Sequence, residues 1–329
     1  MNMKYLIEDF IVSPGQHCFY SSLYNIFRYM GIPLLEHELF VLCDGLTFQV
    51  QLQSSRLFFD FILDAIRVDY TNQIQTLGNR IQIGYNIFQD IGSLVESLKR
   101  GIPVLAFVKA KALKYNIVEN PRDNLGAHGI VIYGIDTNKQ LVYVADSYLL
   151  DYENNISASK KTLRIQDIET YLISYCSFSS GRVSIDHGTI KEAYCENINR
   201  YLSNSWNNGE QAALYLVDHL QIWNEGKEHA NANQSNYITL IFLMKAYFLN
   251  ILYYIHRLNR QYINGFSESD ELIHEIRINL NAFFLRCLSK VGSTDDIDAY
   301  MVSSGKKAIK LYSSLLRKTQ TKLRSINEN

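Results

Sequence analysis

The spacing of apolar positions changes twice along this chain. In "CFYSSLYNIFRYM", Leu23, Ile26, Phe27 and Met30 recur three and four residues apart, which predicts a helix over Cys18 to Met30. Gly31 and Pro33 end it. "LLEHELFVLC" predicts a short second helix, and "SRLFFDFILDAIRV", Ser55 to Val68, a third. "DIGSLVESLKRG" predicts a helix that exits at Gly101, with Lys99 and Arg100 in its last turn. The pattern then shifts to short, dense apolar runs: "IPVLAFVKA", "HGIVIYGID" and "LVYVADS". The last two flank the turn-rich link "TNKQ", so they are expected to form an antiparallel hairpin. "IQDIETYLISY" returns to a helical spacing.

Beyond about Asp186 only helical signals recur. "IKEAYCENINRYLS", "GEQAALYLVDHLQIWNEG", the run at 236–260, "SDELIHEIRINLNAFFLRCLSKVG" and "DDIDAYMVSSGKKAIKLYSSLLRKTQTKLR" all read as amphipathic helices. Ser267 or Ser269, and Thr294 followed by acids, look like helix caps. No period repeats across them. The expected organisation is an α+β domain over 1–187 and an all-helical domain over 188–329.

Composition narrows the picture. The 329 residues are 47% hydrophobic and 20% charged, with a net charge of −1, which fits a globular protein without the field that nucleic acid or an anionic membrane would call for. Five cysteines lie scattered at 18, 43, 176, 195 and 287, with neither disulfide nor zinc-ligand spacing, so a reducing cytoplasm is expected and no metal. "MNMKYLIEDF" lacks the apolar run of a signal peptide. The stretch "NYITLIFLMKAYFLNILYYI" has the length of a membrane span, but Lys245 and Asn250 interrupt it, so it is read as a buried helix. No P-loop or dinucleotide fingerprint appears.

Three residues carry candidate chemistry. Cys18 stands where the loop "SPGQ" gives way to the first helix. A helix N-terminus has unsatisfied N–H groups and a partial positive charge, which favour a thiolate. Burial as a small apolar residue is the commoner fate of a cysteine, and the other four, set in apolar stretches, are read that way. His128 opens the strand "HGIVIYGID", where its ring is a candidate proton carrier or simply a histidine at a loop end. Asp146 ends "LVYVADS"; antiparallel pairing brings it beside His128, where it either orients the imidazole or only closes the strand. Candidate oxyanion donors are the Cys18 backbone N–H, with Gln16 and Asn25 behind it. His17 is assigned a structural or substrate-side role. The basic stretch with Lys306, Lys307, Lys310, Arg317, Lys318, Lys322 and Arg324 is read as a solvated face in preference to a docking surface.

The order Cys, His, Asp over Pro14 to Asp146 resembles the papain-like superfamily, in its bacteriocin-processing peptidase-like branch. "HCFYSSLYNIFRYMGIPLLEHELFVLCDGLTF" more closely resembles the butirosin-type acyltransferase family, through His17 and Cys18, Ser21 to Leu23, Gly31, Glu36, Leu39 and Phe40, and Gly45, Leu46 and Phe48. "AHGIVIYGID" and "VYVADS" are similar to that family's histidine and aspartate strands. "VLCDG" departs from the family's glycine-rich step, and the glutamine that many papain-like enzymes carry upstream of the nucleophile is absent. The resemblance, which extends to the closthioamide-type amide synthase, implies amide formation. An acyl group would pass from the phosphopantetheine thioester of an acyl or peptidyl carrier protein to Cys18, and then to a small amine. It implies Cys18, His128 and Asp146 as the triad and no cofactor of the enzyme's own. A cysteine hydrolase, either peptidase or thioesterase, is the alternative with the same residues, and a non-catalytic binding module is a third.

Overall fold

A computed structural model describes residues 3–46, 70–115, 127–151, 155–179, 183, 185–203, 209–218, 245, 248–263, 266–289 and 299–327. The expected helix at 55–68 and the cap at Thr294 lie outside them. The described residues fall into two compact units. The first joins the N-terminal segment through Cys43 to Tyr70–Ile185, and the second is built on Asp186–Asn329. Asp44 goes with the second, where Asn197 Nδ2 donates to its Oδ1 at 3.1 Å and Arg200 pairs with its other oxygen.

The first unit is α+β, as its alternating spacings predict. Its sheet runs in the order β2 (Tyr85–Phe88), β7 (Leu172–Phe178), β3 (Val104–Lys109), β4 (Ala127–Asp136), β5 (Leu141–Leu150), β6 (Ile156–Arg164), with β1 (Lys4–Leu6) also paired to β4. All of its pairings are antiparallel. β4 borders β3 along its first half and β1 along its second.

Helix α1 (Cys18–Tyr29) lies against this sheet. Phe19, Leu23, Ile26 and Phe27 are wholly buried, with Phe19 against Phe107 and Phe27 edge-on to Phe178. Burial of each such side chain contributes about 1.5–3 kcal/mol, which anchors the helix by its apolar stripe. At its far end Gly31 takes a φ of +75°, and Ile32 N–H reaches Phe27 O at 2.8 Å, the closing bond of a Schellman turn. Helix α2 (Glu36–Leu42) packs beside α1, followed by α3 (Tyr70–Ile81) and α4 (Ile91–Lys99). Asp90 caps α4 through Ser93 N–H at 2.7 Å, and Gly101 turns the chain at φ +73°.

Two sequence readings change. The helix expected over "IQDIETYLISY" stops at Tyr171 as α5 (Ile165–Tyr171), and the chain continues directly as β7. "LISYCSF" suits either spacing; pairing with β2 and β3 on both sides makes it a strand. Asp146 does not end its strand either: β5 runs on to Leu150, with an irregularity in its pairing to β6 between Asp146 and Leu149.

In the second unit the described helices are α6 (His187–Tyr201), α7 (Gly209–Asp218), α8 (248–262), α9 (Glu268–Ser289) and α10 (Ala299–Asn327). Buried Asn259 accepts from Tyr194 Oη at 3.0 Å and donates to Ser269 Oγ at 3.0 Å and Thr319 Oγ1 at 3.2 Å, tying four helices at one polar point. Among the described residues no helix is long and apolar enough to cross a membrane.

Candidate functional site

The loop in front of Cys18 is held at several points. Ser13 pairs with the Asn25 amide, its N–H donating to Oδ1 at 2.8 Å and its carbonyl accepting from Nδ2 at 3.0 Å. Gly15 N–H donates to Ser147 O at 3.0 Å. Gln16 and His17 N–H both donate to Glu36 Oε1, at 2.8 and 3.2 Å. His17 is the N-cap of α1, its Nδ1 accepting from Phe19 N–H at 3.2 Å. Burial and the neighbouring His128 bring the His17 imidazole down to about 4. The ring is therefore neutral near pH 7 and keeps the lone pair that the cap requires. Cys18 follows as the first residue of the helix, 8% exposed, where backbone N–H groups have no intrahelical acceptor.

His128 is the second residue of β4, and the residue after it sets its distance from the helix. A Cβ at Gly129 would stand 3.2 Å from Cys18 O and 3.4 Å from Phe19 Cα. The strand thus touches the backbone of the Cys18 turn, and a side chain there would push the two apart. Ser22 Oγ adds a hydrogen bond to Gly129 O at 3.2 Å.

Asp146 reaches His128 across the hairpin. One step on from the Val131–Ala145 pair, Asp146 lies level with Ile130, and His128 is the same-face neighbour two residues away. His128 Nε2 lies 3.0 and 3.1 Å from the two carboxylate oxygens. Tyr115 Oη donates to Oδ2 at 3.2 Å and Tyr148 N–H to Oδ1 at 3.1 Å. With Asp146 wholly buried and His128 2% exposed, this carboxylate fixes the ring by directional bonds out of water. Nε2 donates to the carboxylate, so proton exchange with a thiol falls to Nδ1.

The oxyanion candidates separate on geometry. The Cys18 N–H is at the helix start. Gln16 is half-buried and gives its backbone N–H to Glu36. Asn25 is wholly buried, and both hydrogens of its amide are taken, by Ser13 O and by Ser21 O at 2.7 Å. It braces the loop and has no hydrogen left for an oxyanion.

Among the other thiols, burial pushes Cys176 and Cys195 up, away from the thiolate. Cys43 and Cys287 are buried. In the basic C-terminal stretch Lys306 pairs with Asp218, Lys307 with Glu275 at 3.4 Å, Arg317 with Glu210 at 2.6 Å and Lys318 with Glu268 at 3.1 Å. These pairings favour the solvated-face reading.

Sequence reasoning missed the parts played by Tyr115, Ser147 and Glu36. Tyr115 and Ser147 carry no local pattern; Glu36 was visible only as an acid of the family signature.

Residues 17–147 match the family model described as butirosin biosynthesis protein H, N-terminal. The matched segment begins at the cap of the Cys18 helix, includes β4 and the first part of β5, and ends beside Asp146. The relationship to the butirosin-type family read from the sequence is therefore shown for this segment. No curated protein matches the chain.

Proposed function

We propose that the chain is a biosynthetic cysteine acyltransferase that forms an amide from a carrier-protein thioester and an amine. The observation that supports this reading is the close approach of the Cys18 turn's backbone to Gly129, the residue after His128, whose ring pairs with buried Asp146, within a segment similar to butirosin biosynthesis protein H.

His128 Nδ1 takes the Cys18 proton, and the thiolate attacks the thioester carbonyl of the pantetheine arm. The oxyanion forms at the start of α1, where the Cys18 N–H and the positive end of the helix face developing negative charge. Collapse breaks the carbon–sulfur bond to pantetheine, whose sulfur takes the proton from the imidazolium. The product is an acyl-Cys18 thioester. Thioester exchange is nearly balanced in energy, so this step is reversible. An amine then attacks the acyl-enzyme, His128 removes its proton, and Cys18 leaves as the thiol once that proton returns to it. Asp146 holds the imidazole in orientation throughout and stabilises its charged form. Low exposure of all three side chains favours the amine over water as second nucleophile.

Incubation with an acyl carrier protein and a panel of small amines tests the outcome. An amide is expected as the main product whenever an amine is present. Free acid formed at the same rate with and without amine would mark a hydrolase.

A further inference from the structure

We infer that Glu36 is a positioning residue for the nucleophile, acting as a fixed acceptor that sets the peptide plane leading into Cys18. The inference rests on the reading of Cys18 as nucleophile. Glu36 is the first residue of α2, so it reaches the loop from a separate element. One of its oxygens, Oε1, takes both the Gln16 and the His17 N–H. One acceptor oxygen shared by two adjacent backbone donors restricts the direction of both peptide planes at once. Gly15 closes the same cradle: a Cβ there would stand 2.7 and 2.8 Å from the two Glu36 oxygens and 2.3 Å from Ser21 Cβ. The Gly15 N–H meanwhile goes to Ser147 O, next to Asp146. The loop is thus bolted on one side to α2 and on the other to the strand that orients His128.

The role asks for reach and an acceptor oxygen. Glu36→Gln keeps both. Glu36→Asp keeps the charge but is one methylene short. The test measures the alkylation rate of Cys18 by iodoacetamide, located by peptide mass spectrometry. It also measures kcat and KM with an N-acetylcysteamine thioester. Glu36→Asp and Glu36→Ala are expected to lower kcat and the alkylation rate about tenfold or more while KM stays within about twofold. Glu36→Gln is expected to stay within about threefold of the parent. If Glu36→Ala does not fold, the Asp and Gln pair still decides. Equal rates for Asp, Gln and parent overturn the inference, as does a Gln variant as slow as Asp. An unreactive Cys18 in the parent protein is a different result: it removes the nucleophile itself.

Discussion

His128 presents Nε2 to both oxygens of Asp146, at 3.0 and 3.1 Å, from adjacent antiparallel strands and out of contact with water. Tyr115 and Tyr148 supply two further donors to the same carboxylate. Removing the acceptor therefore has two effects. Asp146→Ala leaves buried donors unmatched, each at a cost of about 1–3 kcal/mol. Asp146→Asn keeps one acceptor oxygen and loses the negative charge beside the His128 ring. Asn is expected to lower kcat by roughly 10²–10⁴-fold with a smaller drop in melting temperature than Ala. Steady-state kinetics beside thermal melts of the two variants check this; equal kinetic and stability losses would reduce Asp146 to a packing role.

Gly129 sets the approach of strand to helix. Ala there would place a methyl 3.2 Å from the Cys18 carbonyl oxygen, a contact only backbone movement relieves. Displacement of a few tenths of an ångström at Cys18 is expected to lower kcat by about tenfold or more. Gly129→Ala should melt close to the parent protein, and a variant with parental kcat would show that the contact does not set the reaction geometry.

Gly15→Ala meets a harder obstacle, Ser21 Cβ at 2.3 Å. Overpacking of this kind costs about 1–3 kcal/mol. Both stability and Cys18 alkylation are expected to fall, measured by urea unfolding and by labelling rate.

The His17 cap ties stability to pH. Its imidazole sits at about 4 in the folded protein against 6.5 for the free group. Between those values the unfolded chain binds a proton that the folded chain refuses. Stability is thus fully present above about pH 6.5 and falls as the pH drops towards 4, by up to about 1.4 kcal/mol per unit. His17→Asn retains a capping side chain without the titration. Unfolding free energies at pH 7, 6, 5 and 4.5 are expected to show a shallower slope for Asn than for the parent, and parallel slopes would remove His17 as the cause.

Some of this was legible in the sequence, for physical reasons. Leu23, Ile26 and Phe27 announced α1 because one stripe of it is buried. "TNKQ" between two apolar runs announced the hairpin, and from the hairpin followed the meeting of His128 and Asp146. β6 was not legible: "ISASKKTLR" lies at the sheet edge, half-exposed and lysine-rich, with no clean alternation. "LISY", the first part of β7, has a helical spacing; its partners, not its spacing, decide its form. Asn25 looked free to serve the reaction because its tie to Ser13 depends on how the preceding loop folds back. Glu36 escaped notice as a positioning residue because backbone donors leave no mark in a sequence.

In the proposed reaction Cys18 carries the acyl group. Intact-protein mass spectrometry after incubation with an acylated carrier protein, or with a thioester mimic of its pantetheine arm, reads this directly. A mass gain of one acyl group is expected, absent in Cys18→Ala, strongly slowed in His128→Ala, and cleared faster by an amine than by water. No adduct on the parent protein, or the same adduct on Cys18→Ala, would contradict it.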